Sequence, residues 1–290
     1  MLSKEETVRE TALLSVFSHS IMVVIKLVAG IVGLSFALVA DALESFADLI
    51  ASIFMFFGLK YSSKPPDEDH PYGHGRIEPL ITFLIVIMMN LSAGFIFFQS
   101  IKNIRTPHES PLPFTLLVLA AIIIWKEISF RYVDRKGKEM NSTTLRAEAW
   151  HHRSDALTSV AAFIGISIAI WQGPGYESSD DWAALIAAVI MVYNSYKIFR
   201  PAWGEIMDEH LHDDLIFGIR SIAAEVTDIR GTEKCYVRKI GMYYGVELHA
   251  MVDATLSVKE GHDIGHRLQD RLKEAFPDIS YVLVHIEPDE

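Results

Sequence analysis

The chain has 290 residues, of which 50% are hydrophobic, and a formal net charge of -11 with 12 histidines and one cysteine. A chain this acidic lacks the basic face that nucleic-acid phosphates require, which excludes nucleic acid as a partner. The single cysteine, Cys235, excludes an intrachain disulfide and a thiolate-rich zinc finger. The apolar content predicts a membrane portion joined to a soluble portion, with carboxylates and imidazoles available to bind metal cations.

A helix needs about 20 mostly apolar residues to cross a bilayer core, and six segments of the chain come close to that length. We predict membrane helices over residues 11–34, 36–59, 80–101, 113–128, 149–171 and 182–199. The second and fifth segments contain ionisable side chains, which are rare at membrane depth unless they serve a function. We therefore expect the function to reside in these two helices.

Lysine and arginine residues are concentrated in two of the connections between these segments. They are Lys60, Lys64 and Arg76 between the second and third segments, and Lys126, Arg131, Arg135, Lys136, Lys138 and Arg146 between the fourth and fifth. Basic loops face the cytoplasm. The expected protein is therefore multi-pass and integral to a membrane, the inner (plasma) membrane in a bacterium, with both termini cytoplasmic.

The pattern changes after Pro201 to that of a soluble domain. Residues 211–225 and 257–276 have helical periodicity, whereas residues 234–240, 245–252 and 280–286 have the character of strands. Ser257 and Glu260 have the spacing of a capping box at the start of the second helix. The order αββαβ predicts a small sheet with helices on one face.

The predicted fold class is an α-helical membrane protein with six transmembrane helices, followed by a small α+β (αββαβ, ferredoxin-like) cytosolic domain. We assign residues 1–205 to the transmembrane domain and residues 206–290 to a cytosolic metal-binding domain.

The second segment places three carboxylates on one helix face, at Asp41, Glu44 and Asp48. A charge at membrane depth costs at least about 2.5 kcal/mol, so such groups line a cavity or find a partner. Asp41 lies near the helix start, where capping is an alternative role. We predict that Glu44 and Asp48 contact an ion.

The fifth segment repeats this arrangement with His151 and Asp155, which are four residues apart and share a face. We expect His152 and Arg153 to point elsewhere, towards the headgroup boundary. One imidazole with three carboxylates suits zinc and tolerates cadmium, iron(II) or manganese(II). The alternative is an ion-pair network that only holds the helices together, for which Lys26 is the available cationic partner.

Two further clusters lie outside the predicted helices. Between the second and third segments, Asp67, His70 and His74 have the close spacing of a metal site, beside glycines that allow a tight fold, although a solvated polar loop is the alternative. In the soluble domain the candidates for metal binding are His249, His262, His285 and Glu287, with the last two on one strand face.

The segments DALESFAD, DHPYGHGRIEP and HHRSD, together with the terminal HIEP, resemble the cation diffusion facilitator family of zinc and related-metal exporters. The resemblance covers nearly the whole chain. It implies a membrane site of Glu44, Asp48, His151 and Asp155, where the family more commonly has Asp or His at the first of these positions.

The resemblance also implies features of the loop and of the soluble domain. The loop site would use Asp67, His70 and His74. A binuclear cytosolic site would draw on His249, His262, His285 and Glu287, with Glu233 where some members have a further histidine. A Y-shaped homodimer and an interdomain charge pair of Arg76 and Asp208 are implied as well.

The predicted function is efflux of a divalent transition metal ion, zinc first, in exchange for protons. The alternatives are the same mechanism with iron(II), manganese(II) or cadmium, or a membrane metal sensor that does not transport. The chain lacks the GxxxxGK[ST] motif of nucleotide-driven transporters and the HExxH motif of zinc proteases, so we expect no enzymatic activity. The expected partners are the metal ion, protons, the lipid bilayer and a second copy of the chain.

Overall fold

The computed structural model describes residues 4–32, 36–105, 112–172, 179–210 and 212–289. The chain divides into two compact units, Met1–Ala202 and Trp203–Glu290. The helices that begin in the first unit are α1 (Lys4–Val32), α2 (Phe36–Ser62), α3 (Ile77–Arg105), α4 (Phe114–Glu139), α5 (Thr143–Gln172) and α6 (Ser179–Ile206). Within the described residues α5 contacts α1, α2, α3 and α4, which makes it the central helix around the candidate site.

The helices extend beyond the predicted apolar segments into polar sequence. The clearest case is α4, which continues to Glu139 instead of ending at residue 128. Its last turns are rich in Arg, Lys and Glu, which are good helix formers. Side-chain ion pairs at helical spacing join them, namely Arg131–Glu127, Arg135–Glu139 and Lys138–Asp134. Most of the basic residues that we assigned to the connection between the fourth and fifth helices therefore lie on α4 itself.

The first unit has the surface of a protein that faces lipid. Large apolar side chains are exposed along several helices, among them Phe17, Phe54, Phe98, Leu117 and Ile164. By length and composition, two stretches of the described residues, Glu6–Val28 and Ile77–Arg105, could cross a membrane. The count of six crossings stays a prediction.

The second unit contains α7 (Asp213–Glu225), β1 (Gly231–Ile240), β2 (Tyr243–Asp253), α8 (Val258–Ala275) and β3 (Ile279–Asp289), in the predicted order αββαβ. The sheet order is β1-β2-β3, with β1 antiparallel to β2 and β2 parallel to β3. The helices contact each other and cover the sheet, α7 at β1 and α8 at β3. Buried aliphatic side chains fill the layer between them, including Ile219, Val246, Leu248, Leu268 and Leu272.

Two local features position the candidate residues of the second unit. The predicted capping box is present: the Ser257 hydroxyl accepts from the Glu260 N–H, and the Glu260 carboxylate accepts from the Ser257 N–H. In the parallel pair, His249 of β2 lies opposite His285 of β3. Because side chains alternate along a strand, Glu287 projects from the same face as His285.

Candidate metal centres

The first candidate centre lies between α2 and α5. Nε2 of His151 is 3.2 Å from Oδ1 of Asp48 and 3.7 Å from Oδ2 of Asp155. Asp48 and His151 are buried, and Asp155 is partly buried. The structure thus brings together three of the four residues predicted for the membrane site. The side chains of the fourth, Glu44, and of Asp41 lie outside the described residues.

His19 of α1 joins this centre, although we did not predict it. One ligand atom from each of His19, Asp48, His151 and Asp155 lies within 4.8 Å of the others. The signal was present in the sequence, because His19 is the single histidine of a helix that is otherwise mostly apolar. A lone histidine of this kind is usually a core residue, and only the packing of α1 against α2 and α5 brings it to the site.

Lys126 corrects two of our expectations. We assigned it to a cytoplasmic connection, but it lies inside α4 with its side chain 1% exposed, and its Nζ donates to Oδ2 of Asp155 at 2.7 Å. We also considered only Lys26 as a cationic partner for the acids, and Lys126 is a further one; Nζ of Lys26 donates to the Ser45 hydroxyl at 2.8 Å. A metal ion bound by Asp155 must therefore share this carboxylate with Lys126 or displace the ammonium group.

A second cluster of buried side chains lies beside the first candidate centre. It includes His152, which we expected to point towards the headgroup boundary. The His152 side chain is 0% exposed, and its Nε2 lies 3.8 Å from Oε1 of Glu148, one helical turn away. Oε1 of Glu148 accepts a hydrogen bond from the Ser52 hydroxyl at 3.0 Å, and that hydroxyl also pairs with Nδ1 of His19 at 2.8 Å. His19, Glu148 and His152 together can offer three ligand atoms within 4.8 Å of one another.

Arg153 packs against two aromatic side chains, and its expected place at the headgroup boundary stays a prediction. Its guanidinium lies 4.6 Å from the ring centroid of Phe130 and 5.5 Å from that of Trp150. A cation over an aromatic face is favourable. Arg153 thus packs where α4 meets α5.

The loop between α2 and α3 forms a third centre from the residues predicted for it. Asp67 contacts both histidines, with Oδ1 3.2 Å from Nδ1 of His70 and Oδ2 3.3 Å from Nε2 of His74. His74 is buried, and its Nδ1 has no hydrogen-bond partner among the described residues. Gly73 has φ +81°, a conformation that glycine adopts without strain.

The charge state of Asp67 suits metal binding. Partial desolvation raises the pKa of this carboxyl group, but hydrogen bonds from the His70 backbone and side chain hold the pKa below its ordinary value. The carboxylate therefore stays ionised at neutral pH, which is the form that binds a cation.

The fourth centre lies on the sheet of the second unit. Oε1 of Glu287 is 2.6 Å from Nδ1 of His249 and 3.7 Å from Nε2 of His285, and the three residues can offer ligand atoms within 4.8 Å of one another. The hydrogen bond with His249 holds the pKa of Glu287 below its ordinary value, and a side-chain hydrogen bond with Glu233 acts in the same direction. Glu233 is thus beside the centre, as expected.

His262 is not brought into this group among the described residues. It is exposed on α8, where its ring centroid lies 4.4 Å from that of His266. The predicted pair of Arg76 and Asp208 also stays a prediction, because Arg76 belongs to the first unit and Asp208 to the second.

Buried imidazole and carboxylate groups inside a helical unit with an apolar exterior define a membrane protein that handles metal cations. Comparison with known families agrees. The model "Cation efflux transmembrane domain" matches residues 12–207, and the model "Cation efflux protein, cytoplasmic domain" matches residues 211–289. The chain belongs to the cation diffusion facilitator family, whose members move divalent metal cations out across a membrane.

Individual relatives are similar over most of their length. The manganese efflux system protein MneP of Bacillus subtilis is 30% identical over 289 residues, which covers 98% of this chain and 97% of the relative. MneS of the same organism is 31% identical and covers 96% and 94%. The magnetosome protein MamB of a Magnetospira species is 29% identical and covers 91% and 89%. A solved MamM CTD variant is 21% identical, with a TM-score of 0.27, and covers 28% of this chain and 100% of that one.

Proposed function

We propose that the protein exports zinc ions in exchange for protons through the centre formed by Asp48, His151 and Asp155, with Glu44 as a further ligand. The observation that carries this proposal is the buried imidazole of His151, which lies between two carboxylates from two different helices. Two helices that share one ion can bind it in two arrangements, as alternating access requires.

The choice of zinc rests on the donor atoms. Imidazole nitrogen suits zinc and iron, whereas manganese and magnesium favour carboxylate, carbonyl and water oxygen. His151 is close to His19 at the same centre, so two imidazoles and two carboxylates are within reach of one ion. This mixed set is typical of a four-coordinate zinc site.

Manganese is the second candidate, and the comparisons favour it. MneP and MneS, which are similar to this chain over nearly its whole length, are named as manganese efflux proteins. Glu44 would add a third carboxylate and make the centre richer in oxygen. The two candidates differ in the ion alone, and the same flux measurement separates them.

Proton exchange follows from competition at the ligands. Carboxylate and imidazole groups bind metal only when they are deprotonated, so protons that enter from the far side displace the ion. Nε2 of His151 can hold either a proton or a metal ion, which suits His151 to the exchange step. Lys126 adds a cation of the protein's own beside Asp155, which lowers the affinity of the centre and favours release.

The second unit would sense the metal and join two chains. Support for metal sensing comes from the group of His249, His285 and Glu287. Support for a homodimer comes from the match of residues 211–289 to the cytoplasmic dimerisation domain of the family. We further propose that both termini are cytoplasmic, since the basic end of α4 then faces the cytoplasm.

Flux into proteoliposomes with an acidic lumen tests the transport proposal. We expect zinc uptake that exceeds manganese uptake, stops when an ionophore collapses the pH gradient, and is abolished in Asp155→Asn. Glu139→Gln, at the exposed end of α4 where it pairs with Arg135, is the matched carboxylate control and should transport normally. Manganese uptake in excess of zinc uptake would change the ion. No uptake of either metal by a folded protein would favour the sensor.

A further inference from the structure

The group of His19, Ser52, Glu148 and His152 lies deep in the first unit, next to the proposed transport centre. All four side chains are buried, and they come from three helices, α1, α2 and α5. Glu148 and His152 are absent from the group of Asp48, His151 and Asp155, whereas His19 belongs to both groups. The two groups are therefore neighbours that share one imidazole.

The hydrogen bonds assign the proton on His19. An ionised Glu148 only accepts, so the single hydrogen of the Ser52 hydroxyl is used in the bond from Ser52 to Oε1 of Glu148. The 2.8 Å contact between Ser52 and Nδ1 of His19 must then be donated by Nδ1–H. This tautomer leaves a lone pair on Nε2 of His19, which has no hydrogen-bond partner among the described residues.

His152 has even fewer hydrogen-bond partners than His19. Both of its ring nitrogens are buried without a hydrogen-bond partner among the described residues, and the ring centroid lies 4.9 Å from that of His19. Buried polar atoms are normally paired, so three unpaired imidazole nitrogens beside one carboxylate require an explanation. A bound cation would satisfy Nε2 of His19 and the unprotonated ring nitrogen of His152, because an unprotonated imidazole nitrogen is a metal ligand.

We propose that His19, Glu148 and His152 form a second cation site in the membrane domain, adjacent to the transport centre and joined to it by His19. The ligand is a divalent transition metal ion that takes nitrogen and oxygen donors, with zinc as the first candidate. Ser52 positions the site, since its hydroxyl orients both His19 and Glu148. This second site rests on the proposed function and adds to it, because the transported ion would bind at two sites in the membrane domain.

The chemistry explains why two neighbouring sites can serve transport. In this tautomer His19 has one lone pair for two neighbouring sites, and two nearby cations also repel each other. An ion that arrives at one site therefore weakens the binding of an ion at the other. Ion release by mutual repulsion needs sites that are close together and individually not too strong. The shared imidazole provides this proximity.

The test counts zinc ions bound to the full chain in lipid nanodiscs. The loop and cytosolic centres are first removed by His74→Ala and His249→Ala, and bound zinc is then measured by equilibrium dialysis and elemental analysis. We expect two zinc ions per chain in this background, and one after Glu148→Gln or His152→Asn. Glu148→Gln can still accept from the Ser52 hydroxyl, which favours retention of the fold, and the exposed Glu139→Gln is the control.

A second readout does not depend on counting bound zinc. With Mn2+ as the probe, two ions at adjacent sites give an electron paramagnetic resonance spectrum of a spin-coupled pair. We expect that spectrum in the parent background and the spectrum of isolated Mn2+ in His152→Asn. One ion per chain in the parent background, or two ions that neither substitution removes, would overturn the second site. If Asp155→Asn still abolishes flux, these outcomes overturn the second site and leave the proposed function intact. Flux that survives Asp155→Asn contradicts the proposed function and says nothing about the number of bound ions.

Discussion

The ammonium group of Lys126 lies 2.7 Å from Oδ2 of Asp155, and the two side chains meet where α4 packs against α5. Asp155 is at the same time 3.7 Å from the imidazole of His151. One carboxylate of the proposed transport centre is therefore already paired with a buried cation of the protein. An incoming metal ion competes with that cation, and the pair thus sets the affinity of the centre.

Lys126→Met should raise the affinity of the centre for metal and lower the stability of the metal-free fold. Removal of one partner of a buried ion pair costs about 3–5 kcal/mol, because the other charge is left uncompensated. A metal ion bound by Asp155 would replace that compensation, so we expect zinc affinity to rise at least tenfold. Thermal unfolding with and without zinc measures both effects. A zinc-induced stabilisation no larger than that of the wild type would contradict the competition.

Asp48→Asn should reduce zinc affinity and flux together. Nε2 of His151 is 3.2 Å from Oδ1 of Asp48, so the substitution removes a ligand and also the carboxylate that orients the imidazole. Loss of orienting partners alone reduces metal affinity about 10–100-fold, and loss of a ligand should reduce it at least as much. Zinc titration and flux on the same preparation check this, with the partly exposed Glu127→Gln, which pairs with Arg131 on α4, as control. Retained affinity in Asp48→Asn would remove Asp48 from the centre.

Gly73→Ala should weaken the loop centre without a steric clash. An added Cβ would lie 3.8 Å from the nearest atom, Cγ of Pro66, which is an ordinary contact, so the cost comes from the φ of +81° alone. An L-residue pays about 1–2 kcal/mol in this conformation. Because 1.4 kcal/mol corresponds to a tenfold change in affinity, we expect zinc to bind the loop about tenfold more weakly.

A helix glycine with free space provides the control for that experiment. Nothing lies within 4 Å of a Cβ added at Gly94, and Gly94 is inside α3. Gly94→Ala should therefore leave loop binding unchanged. Equal loss of loop affinity in both variants would mean that the strain argument is wrong.

The stability of the second unit should depend on Glu287 in a pH-dependent way. A hydrogen bond from His249 lowers the pKa of Glu287, so the ionised carboxylate stabilises the folded unit. For a lowered carboxyl pKa this contribution is present above the ordinary value of about 4.3 and disappears as the pH falls through the folded value. Glu287→Gln should thus be less stable than wild type at neutral pH, and the difference should vanish in acid.

Cys235 offers the readout for this effect. It is the single cysteine of the chain and is buried in β1, so its reaction with a disulfide reagent that works in acid, such as dithiodipyridine, reports opening of the second unit. The reaction should be faster in Glu287→Gln than in wild type at neutral pH. The exposed Glu274→Gln on α8 should react like wild type. A difference that persists unchanged at low pH would exclude the carboxylate as its source.

Periodicity predicted the parts of the molecule that depend on one helix or one strand at a time. The spacing of His151 and Asp155 places both on one face of α5. The αββαβ order follows from the helical and strand-like periodicity of successive segments. The αββαβ order is confirmed. Asp48 and the loop residues likewise lie where their local sequence indicated.

The residues whose positions the sequence did not predict are placed mainly by packing between helices. Lys126 sits near the end of an apolar run, so its sequence resembles a helix end, and only the contact with α5 shows that it is buried. Glu148 lay one residue before the predicted start of the fifth helix at residue 149, which hid its pairing with His152. His262 was included as one of several histidines near carboxylates in the soluble domain, and it lies instead beside His266 on the exposed face of α8.

The most direct test of the account is simultaneous measurement of zinc and proton movement in one preparation of proteoliposomes. A zinc indicator and a pH indicator are trapped in the lumen, and wild type is compared with His151→Asn and with the control Glu139→Gln. The account predicts that each zinc ion entering an acidic lumen is matched by proton exit, and that His151→Asn abolishes both fluxes. Zinc entry without proton movement, or coupled fluxes that survive His151→Asn, would contradict it.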